Sequence, residues 1–104
     1  MAGEQGGPRG FKMVGEPGEP ALPEMSFATL VISLASSTLV HLGVAAEPGA
    51  PDPGPVNLPL ARQTIDILEI LKVKTDGNLD ESEAQLLEQV IHDLHLRFLA
   101  AKRA

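Results

Sequence analysis

The placing of glycine and proline constrains this 104-residue chain more than any other feature of its sequence. Residues 1–25 hold Gly3, Gly6, Gly7, Gly10, Gly15 and Gly18 with Pro8, Pro17, Pro20 and Pro23. Residues 47–59 hold Pro48, Pro51, Pro53, Pro55 and Pro59 with Gly49 and Gly54. In a helix interior Gly costs about 1 kcal/mol and Pro about 3 relative to Ala, and neither segment shows the alternation of a strand. Residues 1–25 are therefore read as a disordered Gly/Pro-rich tail and 47–57 as a Pro-rich linker. Regular structure is left to two blocks, 27–43 and 58–103, within one helical domain over 26–103. The chain has no Cys, so no disulfide can reinforce so small a core. Ordering entropy of about 1.5 kcal/mol per residue offsets most of what such a core gains by burial. An idealised helical bundle or an oligomer is the expected solution.

The local signals predict three helices. Ser26 is a suitable N-cap for a helix over 27–43, with Glu24 just upstream and Gly43 able to close the C-terminus in the left-handed conformation. This block is apolar nearly all round, with small Ala28, Ala35 and Ser36 among Phe27, Leu30, Val31, Leu34 and Leu42. A second helix over 58–75 opens at Asn57, tolerates Pro59 in its first turn, and stops at Gly77. Projected on a wheel, Leu58, Leu60, Ala61, Ile65, Ile67, Leu68 and Leu71 share one half. Arg62, Gln63, Asp66 and Glu69 take the other, and Lys72 and Lys74 suit the negative end of the helix dipole. A third helix over 81–102 opens at the capping box Asp80-Glu-Ser-Glu83 and carries a stripe of Leu87, Val90, Ile91, Leu94, Phe98 and Ala101. The short connection makes helices two and three an antiparallel αα-hairpin. The expected fold is thus all-α, a small bundle of this hairpin plus an apolar N-terminal helix.

Charge and length exclude several functions. With 8 Lys plus Arg against 14 Asp plus Glu, the net charge is −6, opposite to the basic face that neutralises nucleic-acid phosphates. Three Phe with no Trp or Tyr offer little on which to stack bases. A membrane-associated subunit anchored by residues 26–46 is the alternative, because 21 consecutive residues there lack formal charge. Seven of those are Ser, Thr or His, and the flanking charges, Glu24 and Glu47, are acidic, which favours a buried or oligomerising helix. About 25 residues precede the stretch, with four Glu against one Arg and one Lys, which does not fit a secretory signal.

Catalytic and ligand-binding patterns are weak. Glu88, His92 and His95 have helical spacing for a metal site, the basis of a third reading as a small metal-dependent enzyme. The face they share is expected to lie opposite the apolar stripe, on a solvated surface with nothing to complete a ligand shell. His41 is expected to cap its helix. The sequence Asp76-Gly-Asn78-Leu-Asp80 starts like a calcium loop but puts Glu81 at the sixth position and Leu87 at the twelfth. Lys74-Thr75 lacks the preceding Gly-rich turn of a phosphate loop. Ser33, Ser36 and Ser37 lie on an apolar helix, where Ser usually packs and bonds locally. A bundle this small rarely offers a cleft of about 300 Å³. No catalytic, cofactor or metal residue is assigned, and the chain is not expected to be an enzyme.

Apolar side chains are left over once the stripes are paired. Leu86, Leu96 and Leu99 fall off the stripe of helix three, as do Ile70 and Val73 in helix two. Excess apolar surface on a small chain marks an interface. Leu30, Leu34, Leu86, Leu96 and Leu99 are the expected contacts to a protein partner, or to further copies in a homo-oligomer. Within the tail, Phe11, Met13 and Val14 form a basic-apolar island with Arg9 and Lys12, suited to docking on a partner.

The chain resembles the small bacterial family catalogued as domain of unknown function 1844, over about residues 27–98. The resemblance is carried by Phe27-x-x-Leu30-x-x-x-Leu34-Ala35 running to Leu42-Gly43, and by Leu60-Ala61-x-x-x-Ile65-Asp66-x-Leu68-x-x-Leu71. Its most specific stretch is Lys74-Thr75-x-Gly77-Asn78-Leu79-x-x-x-Glu83, followed by Leu86-Leu87 and Leu94. The family pattern has an Arg after that Leu where this chain has His95, with Arg97 close by. The resemblance implies a helical architecture and a bacterial, cytoplasmic setting, with no enzyme activity attached. By analogy it suits a regulatory or signalling adaptor in a cell-polarity complex, touching a response-regulator receiver or a small Ras-like GTPase.

Overall fold

The structure is a computed structural model and describes residues 24–103. The expected tail, including Phe11, Met13 and Val14, lies outside the described residues except for Glu24 and Met25. Three helices follow: α1 (Phe27–His41), α2 (Leu58–Lys74) and α3 (Glu81–Arg103). Their ends fall within two residues of those expected, α1 and α2 stopping earlier and α3 running one residue further.

Local chemistry accounts for these ends. The Ser26 hydroxyl accepts from the Thr29 amide at 3.1 Å, and Asn57 Oδ1 from the Leu60 amide at 3.1 Å. Each satisfies an amide that has no partner inside its helix. At α3 the capping box is reciprocal. The Glu83 amide donates to Asp80 Oδ1 at 2.8 Å, and the Asp80 amide to Glu83 Oε1 at 3.0 Å. α1 closes in a Schellman turn: Gly43 N–H donates to Val40 O at 3.0 Å and Val44 N–H to Leu39 O at 3.1 Å, with Gly43 at φ 76°. That turn divides the uncharged run from Ser26 to Ala46. At 15 residues α1 is about 22 Å long, short of the roughly 30 Å of a bilayer core. Among the described residues no helix is long and apolar enough to cross a membrane.

Side-chain pairs fix the directions of packing. Lys72 meets Glu88, Glu69 meets His95 and Arg62 lies over Phe98, so later residues of α2 oppose earlier ones of α3 and the hairpin is antiparallel. Thr38 meets Thr64, and the Asn57 amide donates to His41 O at 2.7 Å, so α1 runs antiparallel to α2 as well. The bundle is up-down-up.

Nine apolar side chains form the core: Val31 and Leu42, Ala61, Ile65 and Leu68, and Leu87, Ile91, Leu94 and Phe98. Full burial of each larger one contributes roughly 1.5–3 kcal/mol. α3 buries the stripe read from its sequence. α2 departs from its wheel: Leu60 and Ile67, placed in the buried half, are 40% and 39% exposed, while Thr64 is buried. The arc of α2 covered by its two neighbours is narrower than half a turn, which leaves that edge bare.

Candidate interaction surface

The five described residues expected to touch a partner divide into two groups. Leu30, Leu96 and Leu99 are exposed. Leu34 and Leu86 are half-buried and pack against the core. Both flank the buried stripe of their helix, where the third helix of a bundle covers positions that a single-stripe wheel leaves open. The remaining exposed aliphatics are Ile32 on α1, Leu60, Ile67, Ile70 and Val73 on α2, and Val44 and Val56 between those two helices. Ile32 has no directional signal in a helix apolar on all sides, and only docking showed which face is turned out.

The polar groups around these patches do not assemble into a reactive centre. Glu88 is 3.5 Å from Lys72 Nζ, while His95 Nε2 is hydrogen-bonded to Glu69 Oε2. His95 therefore sits at the α2–α3 seam rather than on the solvent face expected for it, and His92 alone of the two remains exposed. Among the described residues no group of three or more His, Asp or Glu is placed to hold a metal ion. His41 is the last residue of α1 and not its cap, which is Leu42; the His41 backbone carbonyl accepts from the Asn57 amide at the end of the linker.

A depression of about 780 Å³ is larger than the clefts expected of so small a bundle. Its named lining residues, among them Gln85, Glu88, His92 and Asp93, all belong to α3. No second element is thereby shown to bring a polar group across from them. A recess of about 350 Å³ lies between the end of α1, the linker and the start of α2, bordered by His41, Glu47, Asp52 and Val56.

Exposed ion pairs decorate the helices without joining into a network: Arg62–Asp66 at 3.2 Å and Arg97–Asp93 at 3.1 Å. Pairs of this kind are each worth about 0–1 kcal/mol. Asp80 is the one described group whose ionisation is visibly perturbed. The Glu83 amide and then the Ser82 hydroxyl hold its carboxyl below the usual 3.8. That perturbation comes from helix capping, an ordinary structural duty.

Residues 24–100 match the family model described as Domain of unknown function (DUF1844). The chain belongs to this family. No curated protein and no solved structure gives a significant match. The matched span takes in α1, α2 and α3 as far as Ala100, and omits the tail up to Pro23.

Proposed function

We propose that the chain is a non-enzymatic protein-interaction module, a cytoplasmic adaptor that presents aliphatic side chains on a closed helical bundle. The observation that carries this reading is the exposure of Leu96 and Leu99 on α3, 54% and 45%, beside a core already filled by Leu87, Ile91, Leu94 and Phe98 of the same helix. The fold does not use these leucines, and leaving them in water gains it nothing. Arg103 and His92 share that face, so a partner bearing carboxylates around an apolar centre suits it.

The test replaces both leucines, Leu96→Asp with Leu99→Asp, in the full chain. Circular dichroism should show unchanged helix content, and capture of a soluble partner from lysate should be lost. Unfolding of the double variant would place the leucines in the core and sink the reading. A wild-type chain that reproducibly brings down nothing would do the same.

A further inference from the structure

We infer that residues 9–14 of the N-terminal tail dock within their own chain, on the depression that residues 85–93 of α3 line. The inference stands apart from the adaptor reading, whose Leu96 and Leu99 lie further along the same helix.

The depression combines an apolar contact with acid groups. Val90, half-buried against the core, is one of its lining residues, and Glu88 and Asp93 are others. Each carboxylate already meets one cation within the bundle, Glu88 Oε2 the Lys72 Nζ at 3.5 Å and Asp93 Oδ2 the Arg97 Nε at 3.1 Å. Both side chains stay exposed and each keeps a second oxygen, and pairs this exposed are too weak to exclude a further cation. The surrounding charge is one-sided. Between Lys74 and Arg97 the chain has Asp76, Asp80, Glu81, Glu83, Glu88 and Asp93, and no Lys or Arg.

Charge and reach select the occupant. Arg9 and Lys12 are the only Lys or Arg in residues 1–61, and Phe11, Met13 and Val14 stand beside them. A basic segment with apolar side chains complements an acidic surface with an apolar contact at its edge. The described chain begins at Glu24, just before α1. Because α1 and α3 are both antiparallel to α2, Glu24 stands at the end of the bundle where α3 begins. Packed helix axes lie about 8–10 Å apart, and residues 85–93 run from about 6 to about 18 Å along α3. Val14 and Glu24 are ten residues apart, which spans up to about 33 Å and exceeds those two distances added together. A tether this short gives an effective concentration on the order of 1 mM, enough to populate a contact too weak to form between separate chains.

Other surfaces suit the segment less. The recess bordered by Glu47 and Asp52 lies at the opposite end of α1, whose 15 residues add about 22 Å. The outer side of α2 would set Lys72 and Lys74 against a basic segment, and α1 has no Asp or Glu.

Amide NMR of the full chain tests the assignment. The chain has no Cys, so Gly7→Cys supplies a single thiol for a nitroxide label. The label should broaden the amides of residues 85–93 and leave those of residues 67–73 on α2 sharp. Arg9→Glu with Lys12→Glu keeps the tether length and should lower the ratio of docked to undocked chain about tenfold. Glu88→Lys with Asp93→Lys should do the same at unchanged helix content by circular dichroism. All four substitutions together should restore the broadening, because both signs are then exchanged. Broadening indifferent to Arg9→Glu with Lys12→Glu would reflect the tether alone and overturns the inference. Failure of the fourfold variant to recover overturns it as well. Broadening of an isotopically labelled chain by a separate nitroxide-labelled one would place the segment on a second copy, which also overturns docking within the chain.

Discussion

Replacing the buried threonines by valine, singly and together, measures the side-chain hydrogen bond that joins α1 to α2. Thr38 is fully buried and Thr64 nearly so. Thr38 Oγ1 lies 2.6 Å from Thr64 Oγ1 and 2.8 Å from Leu34 O, while Thr64 Oγ1 lies 2.9 Å from Ala61 O. Three contacts share two hydroxyl protons, so two are hydrogen bonds at any instant. At 2.6 Å the two hydroxyl oxygens are held together by a proton between them, so the cross-helix bond is one of the two and one helix carbonyl goes without its hydroxyl. Thr38→Val leaves Thr64 bonded to its own helix carbonyl but with its oxygen buried and unapproached, and Thr64→Val does the same to Thr38. Each single change therefore loses the cross-helix bond, about 1 kcal/mol, and leaves one hydroxyl imperfectly paired. The double change loses that bond once and buries no hydroxyl at all. Its cost should be no more than the larger single cost, giving a coupling energy of about 1 kcal/mol. Urea denaturation followed by circular dichroism resolves this, because a slope near 1 kcal/mol per molar turns each single loss into a midpoint shift of about 1 M. Additive costs, with the double variant near 2 kcal/mol, would mean the hydroxyls serve only their own helices and would refute the reasoning.

Three further outcomes follow from local geometry. Gly43→Ala should destabilise more than Gly77→Ala in the same denaturation assay. Both positions have positive φ, a strain of roughly 1–2 kcal/mol for a residue with Cβ, but only at Gly43 would the new Cβ meet a neighbour, Val56 Cγ2 at 2.9 Å. Leu68→Ala and Leu87→Ala each empty a fully enclosed site in the core and should cost about 2–5 kcal/mol, read as loss of thermal midpoint. Asp80 is held below its ordinary pKa in the folded chain, so its contribution to stability is complete above the unfolded value of 3.8 and disappears as pH falls through the lower folded value. Asp80→Asn should cap without titrating, and the difference in stability between the two chains should change across that acidic window and stay flat above it.

The helices and their order are legible in the sequence because capping, turn formation and dipole matching act within four or five residues. Ser26, Asn57 and the Asp80–Glu83 box can be read without knowing what any helix packs against, and Gly43 carries its own reason for ending α1. The buried stripe of α3 is legible too, since it has one apolar side to offer. The partial misreading of α2 at Leu60 and Ile67 has a different origin. A wheel shows which half of a helix is apolar, but the covered arc depends on where the two neighbours dock. In α1 the wheel points nowhere, because apolar residues surround the helix. Docking selected Val31, Thr38 and Leu42 for the interior and turned Leu30 and Ile32 outward.

The candidate surface divides in the same way. Composition alone shows that the chain has more aliphatic side chains than a small bundle hides, and α3 presents Leu96 and Leu99 off its stripe in the sequence itself. The choice of which leucines the core absorbs, Leu34 and Leu86 but not Leu30, needed the third helix in place. So did the capture of His95 by Glu69, 26 residues away in the chain, and the meeting of Thr38 with Thr64. By itself the sequence determined where each helix begins and ends, because those choices are settled by neighbours along the chain. Tertiary structure alone decided how each helix is rotated about its axis, because that rotation is set by the combined burial of all three helices rather than by the pattern of any one.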